Sequence, residues 1–401
     1  MTFSNLSLPS AGDTVVVGLS GGVDSTLTAY ILKTRGCRVI GVTMSLWDDS
    51  FSLPQNADGS GRAVKDACFG PGEADDIEEC RKFCAKYDID YHVIDVRETY
   101  KKEVIEYFKA EYRAGRTPNP CVRCNRMIKF GALLQGVEAL GIKYDYFCTG
   151  HYAKIVRPDE GLYGTSARPV MVATATDISK DQTYFIYRVP SGVLEKVRFP
   201  LALMRKSEVF ETARELGLAA AERAESQDFI SAEYFDALFA DKPSVPGDII
   251  DLDGHVIGRH RGIEHYTVGQ RRGLDVAVGY PVYVHSIDAK NNVVVLAPNS
   301  ALDSDGLIAD DFVWAGDVEP PEAFGAVDAM VKIRLASKPV RAFVQRCAPP
   351  SGYDSPRGQV WQISFEQPQR AVAPGQSVVV YKDGVILGGG IIVRAFGTGR
   401  A

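Results

Sequence analysis

Two short stretches of the chain hold residues whose types and spacing could do chemistry. The first is Gly18-Leu19-Ser20-Gly21-Gly22-Val23-Asp24-Ser25. Glycines there let the backbone approach a phosphate closely, and amide N–H groups at a helix start favour negative charge. The hydroxyls of Ser20 and Ser25 add donors, and Asp24 is suited to hold Mg²⁺ beside phosphate oxygens. The spacing is neither Gly-x-x-x-x-Gly-Lys-Ser/Thr nor Gly-x-Gly-x-x-Gly, which argues against a Walker-type NTPase and a dinucleotide site. The second stretch places Cys121-Val122-Arg123-Cys124 behind Pro118 and Pro120. Five basic residues and no acidic one lie between Arg113 and Lys129. Positive charge and a helix N-terminus both lower a thiol pKa, so thiolates are expected. Such a pair serves as a nucleophile or sulfur carrier, as two ligands of a metal or iron–sulfur cluster, or as a reversible disulfide. An inert pair on a solvated loop is the plain alternative.

The elements that must position these stretches alternate through the first half. Thr14 to Gly18 reads as a strand and Val23 to Thr34 as a helix, which puts the glycine loop at a strand-to-helix turn. Arg38 to Met44, His92 to Val96 and Tyr146 to Thr149 read as further strands, the last running into Gly150-His151. Glu73 to Tyr87, Glu98 to Tyr112 and Met127 to Leu140 read as helices. Alternation of this kind predicts an α/β domain with a parallel sheet. After about Leu218 the pattern turns to short strands and hairpins, with turns at Asp253-Gly254 and Asn291-Asn292. The acidic residues between Asp303 and Glu322 read as a solvated linker, and the strands beyond Phe312 as a small β-barrel or sandwich.

The chain has 401 residues, 45% apolar and 24% charged, with a formal net charge of −6. That length suits two or three domains and excludes a disordered or fibrous protein. The acidic balance does not exclude nucleic acid, because a local basic patch suffices. Apolar runs are strand-sized, which predicts no membrane partner, and Met1 to Gly12 lacks a basic start before an apolar run. A cytoplasmic location is expected. Eight cysteines in such a chain argue against a disulfide framework. Cys80 and Cys84 could complete a zinc site but read more simply as half-buried helix positions, and Cys68 falls in a loop.

The motif Ser-Gly-Gly-x-Asp-Ser resembles the pyrophosphate loop of ATP pyrophosphatases. Taken with Gly41-Val-Thr-Met44, Gly115-Arg-Thr-Pro-Asn-Pro120, Cys124-Asn125, Ile128-Lys-Phe130 and Thr149-Gly-His-Tyr152, it is similar to the tRNA-uridine 2-sulfurtransferase (tRNA-specific 2-thiouridylase) family. Lys180-Asp-Gln-Thr-Tyr-Phe185, Ser226-Gln-Asp228, Tyr266-Thr-Val-Gly-Gln-Arg-Arg-Gly273, Pro374-Gly-Gln376 and Leu387-Gly-Gly-Gly390 extend the resemblance over nearly the whole chain. It implies a Rossmann-like PP-loop domain over residues 1–218, a small mixed tRNA-binding domain over 219–300 and a C-terminal β-barrel over 301–401. It also implies that ATP adenylates O2 of a wobble uridine, that a cysteine persulfide delivers sulfur, and that AMP leaves. Gly18, Leu19, Ser20, Gly21, Gly22, Val23, Asp24, Ser25, Met44 and Gly150 match ATP-contacting positions, and Cys124 matches the nucleophile. His151, Lys180, Asp181, Gln182 and Gln376 match positions that touch tRNA. The implied partners are a tRNA anticodon stem-loop and a sulfur-donor protein, and Arg259, Arg261, Arg271 and Arg272 are candidate phosphate contacts.

Two departures stand out. Many members carry Asp where this chain has Cys121, and a second catalytic cysteine after the Ser-Gln-Asp stretch, which here reads Ser226-Gln-Asp-Phe-Ile-Ser231. Either Cys121 and Cys124 together run the persulfide and disulfide steps, or they ligate a [4Fe-4S] cluster with Asp228 as third ligand. A pyrophosphatase making an amide or guanidino product, and a non-catalytic tRNA-binding module, are the competing functions.

Overall fold

Val15, Val16 and Val17 form an apolar run with no polar break, which fits only a strand covered on both faces. A computed structural model, describing residues 1–47, 68–70, 72–222, 229–230, 232–356 and 358–397, places it at the centre of a parallel sheet. The order is Asp90–Asp95, Arg38–Ser45, Thr14–Gly18, Tyr146–Cys148, Val197–Arg198, every pairing parallel. The chain runs outward from Thr14–Gly18 through Arg38–Ser45 to Asp90–Asp95 and then crosses back to Tyr146–Cys148 on the other side, so the switch point, where such sheets open a crevice, lies at the C-terminal ends of Thr14–Gly18 and Tyr146–Cys148. Both the glycine loop and Thr149-Gly150-His151 emerge there.

Two hairpins form a middle sheet. Gly247–Ile250 pairs antiparallel with Val256–His260, and Tyr283–Asp288 with Val293–Ala297. Gly254 (φ 85°) and Asn292 (φ 53°) supply the left-handed turn residues that the sequence anticipates. The last architecture is a closed barrel of Asp303–Trp314, Val360–Arg370, Val340–Cys347, Val327–Lys332, Ser377–Lys382 and Val385–Phe396. Closure removes the sheet edges. Three short strands from the first half, Phe3–Asn5, Ala153–Pro158 and Met171–Thr174, extend the same sheet through a pairing of Ala173 with Val385.

The linker expected between Asp303 and Glu322 is overturned. Asp303–Trp314 is a 12-residue barrel strand, mostly buried. Its acids are absorbed locally: the Tyr353 hydroxyl donates to buried Asp310 at 3.0 Å, and Asp311, at φ 46° beside an irregularity in the pairing, accepts from Arg188 at 2.6 Å. Among the described residues, no helix is long and apolar enough to cross a membrane.

Candidate functional site

The glycine loop leaves Thr14–Gly18 and enters the helix Val23–Thr34 with its first amides uncapped by any side chain. Gly21 adopts φ 75°, which turns the loop. Ser25 folds back beneath it, accepting from the Ser20 N–H at 3.1 Å and donating to the Gly22 carbonyl at 3.1 Å. Ser20 is exposed at the tip. Gly150 touches the loop from the neighbouring strand: a Cβ there would lie 2.7 Å from the Asp24 carbonyl carbon and 2.9 Å from the Ser25 nitrogen. Met44 is half-buried at the end of the adjacent strand. Uncapped amides at a helix start, in a crevice at the switch point, make an anion cradle.

Asp24 is held differently from the sequence expectation. Lys206 donates to both its oxygens, at 2.7 and 2.8 Å, and the Tyr152 hydroxyl donates at 2.8 Å. Lys206, buried at the start of Lys206–Glu215, gives no local signal in the sequence; its partner lies 182 residues away. Cys80 and Cys84 pack beneath the loop with Val15, Val17 and Leu19. Burial raises both thiols, Cys84 to about 12, while hydrogen bonds from Thr43 and the Gly21 backbone partly hold Cys80 down.

Cys121 and Cys124 lie on a helix that begins at Pro120, where Asn119 caps it by accepting from the Val122 N–H at 3.2 Å. Pro120–Cys124, Asn125–Ala132 and Leu133–Ala139 run on as one helix whose middle stretch is π-wound. Both cysteines are half-buried. The expected thiolate is corrected for Cys124: burial pushes its thiol up to about 11, against the pull of Lys129. The basic run is largely neutralised by carboxylates outside it. Arg113 pairs with Asp241 at 3.0 Å, Arg116 with Glu111 at 2.5 Å and Arg123 with Glu103 at 2.7 Å. Lys129 is the charge that reaches Cys124, and it also bears on His151, which follows the strand beside the loop. Asn125, next to Cys124, is buried with its Oδ1 lacking a hydrogen-bond partner among the described residues.

All three architectures meet just before the cysteines. The Thr117 N–H donates to the Pro374 carbonyl at 2.8 Å, and the Gln376 amide donates to the Thr117 and Pro118 carbonyls at 3.0 and 3.2 Å. Thr117 also meets Thr267 at 3.4 Å. Gly115 and Gly375 are required here, because a Cβ would strike Ile287 in one case and the Thr117 backbone in the other.

Comparison with known proteins agrees with this layout. Family models match residues 13–231 (tRNA methyl transferase HUP domain), 237–298 (tRNA methyl transferase PRC-barrel domain) and 304–392 (aminomethyltransferase β-barrel domain). A tRNA-specific 2-thiouridylase MnmA of Endomicrobium trichonymphae is 40% identical over 94% of this chain and 98% of its own. The chain belongs to the tRNA-specific 2-thiouridylase family. A second 2-thiouridylase, from Chloroflexus aggregans, is 41% identical over 95% of this chain and 98% of its own. The solved 4-thiouridine synthetase–RNA complex with bound ATP is only distantly similar, at 17% identity and a TM-score of 0.30 over 53% of this chain and 43% of that one.

The positions expected from the sequence to touch tRNA are placed unevenly. Lys180 is exposed, whereas Asp181 is buried, accepting from Ala175 N–H at 3.1 Å and Thr183 hydroxyl at 2.5 Å. Gln182 accepts from the Tyr152 N–H at 3.0 Å. His151 is buried against Phe130 and Phe199, its Nδ1 2.6 Å from the Thr149 hydroxyl. Burial, with Lys129 adding, drives its pKa well below the usual value, so the ring is neutral. Arg259, Arg261, Arg271 and Arg272 are all exposed on the middle unit. Asp228, expected as a third cluster ligand, lies outside the described residues, as do Ser226 and Gln227.

Proposed function

We propose that the protein converts a wobble uridine of tRNA to 2-thiouridine, using ATP to activate the base and Cys124 to carry sulfur. The observation that carries this is the contact of the cysteine helix with the cradle: Gly150 packs on Asp24 and Ser25, and the next residue, His151, lies with its ring 5.8 Å from that of Phe130 on the cysteine helix. The names of the relatives support tRNA as the substrate.

The uncapped amides at the start of Val23–Thr34 bind the ATP phosphates and stabilise the charge of departing pyrophosphate. The uracil O2 attacks the α-phosphorus, which makes the base's C2 electrophilic with AMP as the leaving group. A wobble base must leave its stack to be reached, and the exposed Arg261, Arg271 and Arg272 of the middle unit supply contacts to the stem-loop phosphates. Cys124 first takes a sulfane sulfur from a donor protein's persulfide, the donor keeping a thiol. That sulfur then ends on C2 as AMP departs, the persulfide S–S bond being broken by a second thiol that is oxidised with Cys124 to a disulfide. Lys129 offsets negative charge at the sulfur, and the packing of buried His151 against Phe130 and Phe199 keeps water from the adenylate. The bound ATP brings Mg²⁺ on its phosphate oxygens; Asp24, paired with Lys206 and Tyr152, does not fit as that ion's ligand. A [4Fe-4S] cluster would draw on Cys121 and Cys124 as two of its ligands, and Asp228, expected as the third, lies outside the described residues. No step is routed through one.

The test is isotopic. With uridine carrying ¹⁸O at C2, this route puts the label into the phosphate of AMP. Unlabelled AMP, or pyrophosphate release that ignores tRNA, contradicts it.

A further inference from the structure

Sulfur held as a persulfide is two electrons more oxidised than the sulfur of a thiocarbonyl. Building on the proposed function, some group near Cys124 must supply those electrons, and a second thiol does so by becoming a disulfide. The fold brings a third cysteine to the place. Phe69, the residue after Cys68, is buried and stacks on the ring of Tyr100 at 5.3 Å and 29°. Its N–H donates to the Phe229 carbonyl at 3.3 Å, and Phe229 directly follows the Ser226-Gln-Asp228 stretch. Tyr100 in turn precedes the turn Lys101–Ile105, which packs on the cysteine helix, and Cys124 joins the same apolar cluster as Phe69 and Tyr100. Burial lifts the Tyr100 phenol well above its usual range, and Cys124, Cys68 and Cys121 then push it further, so all three thiols act on one phenol. Cys68 also raises the Cys124 thiol itself.

From this convergence we propose that Cys68 is the resolving thiol of the Cys124 persulfide. The Cys68 thiolate attacks Sγ of Cys124, the inner sulfur. The S–S bond of the persulfide breaks, a Cys68–Cys124 disulfide forms, and hydrosulfide leaves with the electron pair to attack C2 of the adenylated base. The sulfane sulfur is reduced, two thiols are oxidised, and a cellular dithiol restores them before the next cycle. Cys68 is exposed and lies outside any helix, so it can swing toward Cys124 without unwinding one.

The experiment is a single turnover with the full chain. Cys124 is loaded with persulfide from inorganic polysulfide, then ATP and unmodified tRNA are added without reductant, and thiols are trapped with iodoacetamide. The expected product is a Cys68–Cys124 cross-linked peptide with one 2-thiouridine per disulfide. Cys68→Ser should still load Cys124 and release pyrophosphate with tRNA, yet make at least tenfold less 2-thiouridine, recovered when dithiothreitol is added to attack the persulfide instead. Cys347→Ser, in the barrel, is the control and should behave as wild type. A Cys121–Cys124 disulfide, undiminished yield in Cys68→Ser, or tightly bound iron in anaerobically purified protein overturns the assignment of Cys68. A wild type that makes no 2-thiouridine at all overturns the parent reading along with it.

Discussion

Replacing Gly150 by alanine inserts one methyl group between two pieces of backbone that both have to stay put. The new Cβ would sit 2.7 Å from the Asp24 carbonyl carbon and from Asp24 Cβ, and 2.9 Å from the Ser25 nitrogen. Ordinary contact is ~3.4 Å or more, so the loop or the Thr149–His151 turn must give way by about 0.7 Å. Neither side is the tip of a flexible side chain. Overpacking of this kind costs about 1–3 kcal/mol, which lowers the melting temperature by roughly 2–4 °C per kcal/mol in a unit of this size. The functional loss is larger, because a shift approaching 1 Å in a positioning element costs on the order of 10²-fold. Calorimetric ATP binding and tRNA-dependent pyrophosphate release should show kcat/KM for ATP falling by about that factor, with the chain still folded. Gly192→Ala, where a Cβ meets nothing within 4 Å, should change neither reading. A Gly150→Ala protein that binds ATP as wild type does would refute the claim that this contact sets the loop.

Three further outcomes follow from the site. Lys206→Met strips a buried partner from Asp24 and should cost stability near the low end of the ~3–5 kcal/mol range for broken buried pairs, because Asp24 keeps some solvent. Adding Asp24→Asn should recover part of that in urea unfolding, and strict additivity would speak against the pair. Gln376→Ala removes two hydrogen bonds worth ~1 kcal/mol each from the loop before Cys121. It should slow 2-thiouridine formation at unchanged tRNA affinity, whereas weaker tRNA binding alone would make Gln376 a tRNA contact. Alkylation of Cys124 by iodoacetamide should climb about tenfold per pH unit toward a plateau near pH 11, since only the thiolate reacts. Lys129→Ala removes the charge that lowers this pKa, so at any pH below the plateau the rate should drop; an unchanged or faster rate contradicts that role.

What could be read from the sequence was what is decided locally. Thr14–Gly18 and Val23–Thr34 appear where turn chemistry and apolar spacing put them, and so do the hairpins at Asp253-Gly254 and Asn291-Asn292. Where partners are distant, the reading failed or stayed silent. Arg113, Arg123 and Asp24 look unpaired along the chain, but Asp241, Glu103 and Lys206 meet them in space. The run Asp303–Trp314 looks solvated because of its aspartates, yet a part-buried hydrogen bond and one left-handed residue let it serve as a barrel strand. Cys124 shows the same competition in energy: basic neighbours argue for a thiolate, and burial outweighs them. Phe69, beside Cys68, reaches the cluster that holds Cys124 by stacking on Tyr100, a contact with no local signature.

The most direct measurement is nucleoside mass spectrometry of unmodified tRNA incubated with ATP, a persulfide donor and either the wild-type chain or Cys124→Ser. The account predicts 2-thiouridine from the wild type and none from the variant, with tRNA-dependent pyrophosphate release persisting in both. Equal 2-thiouridine from Cys124→Ser would contradict it.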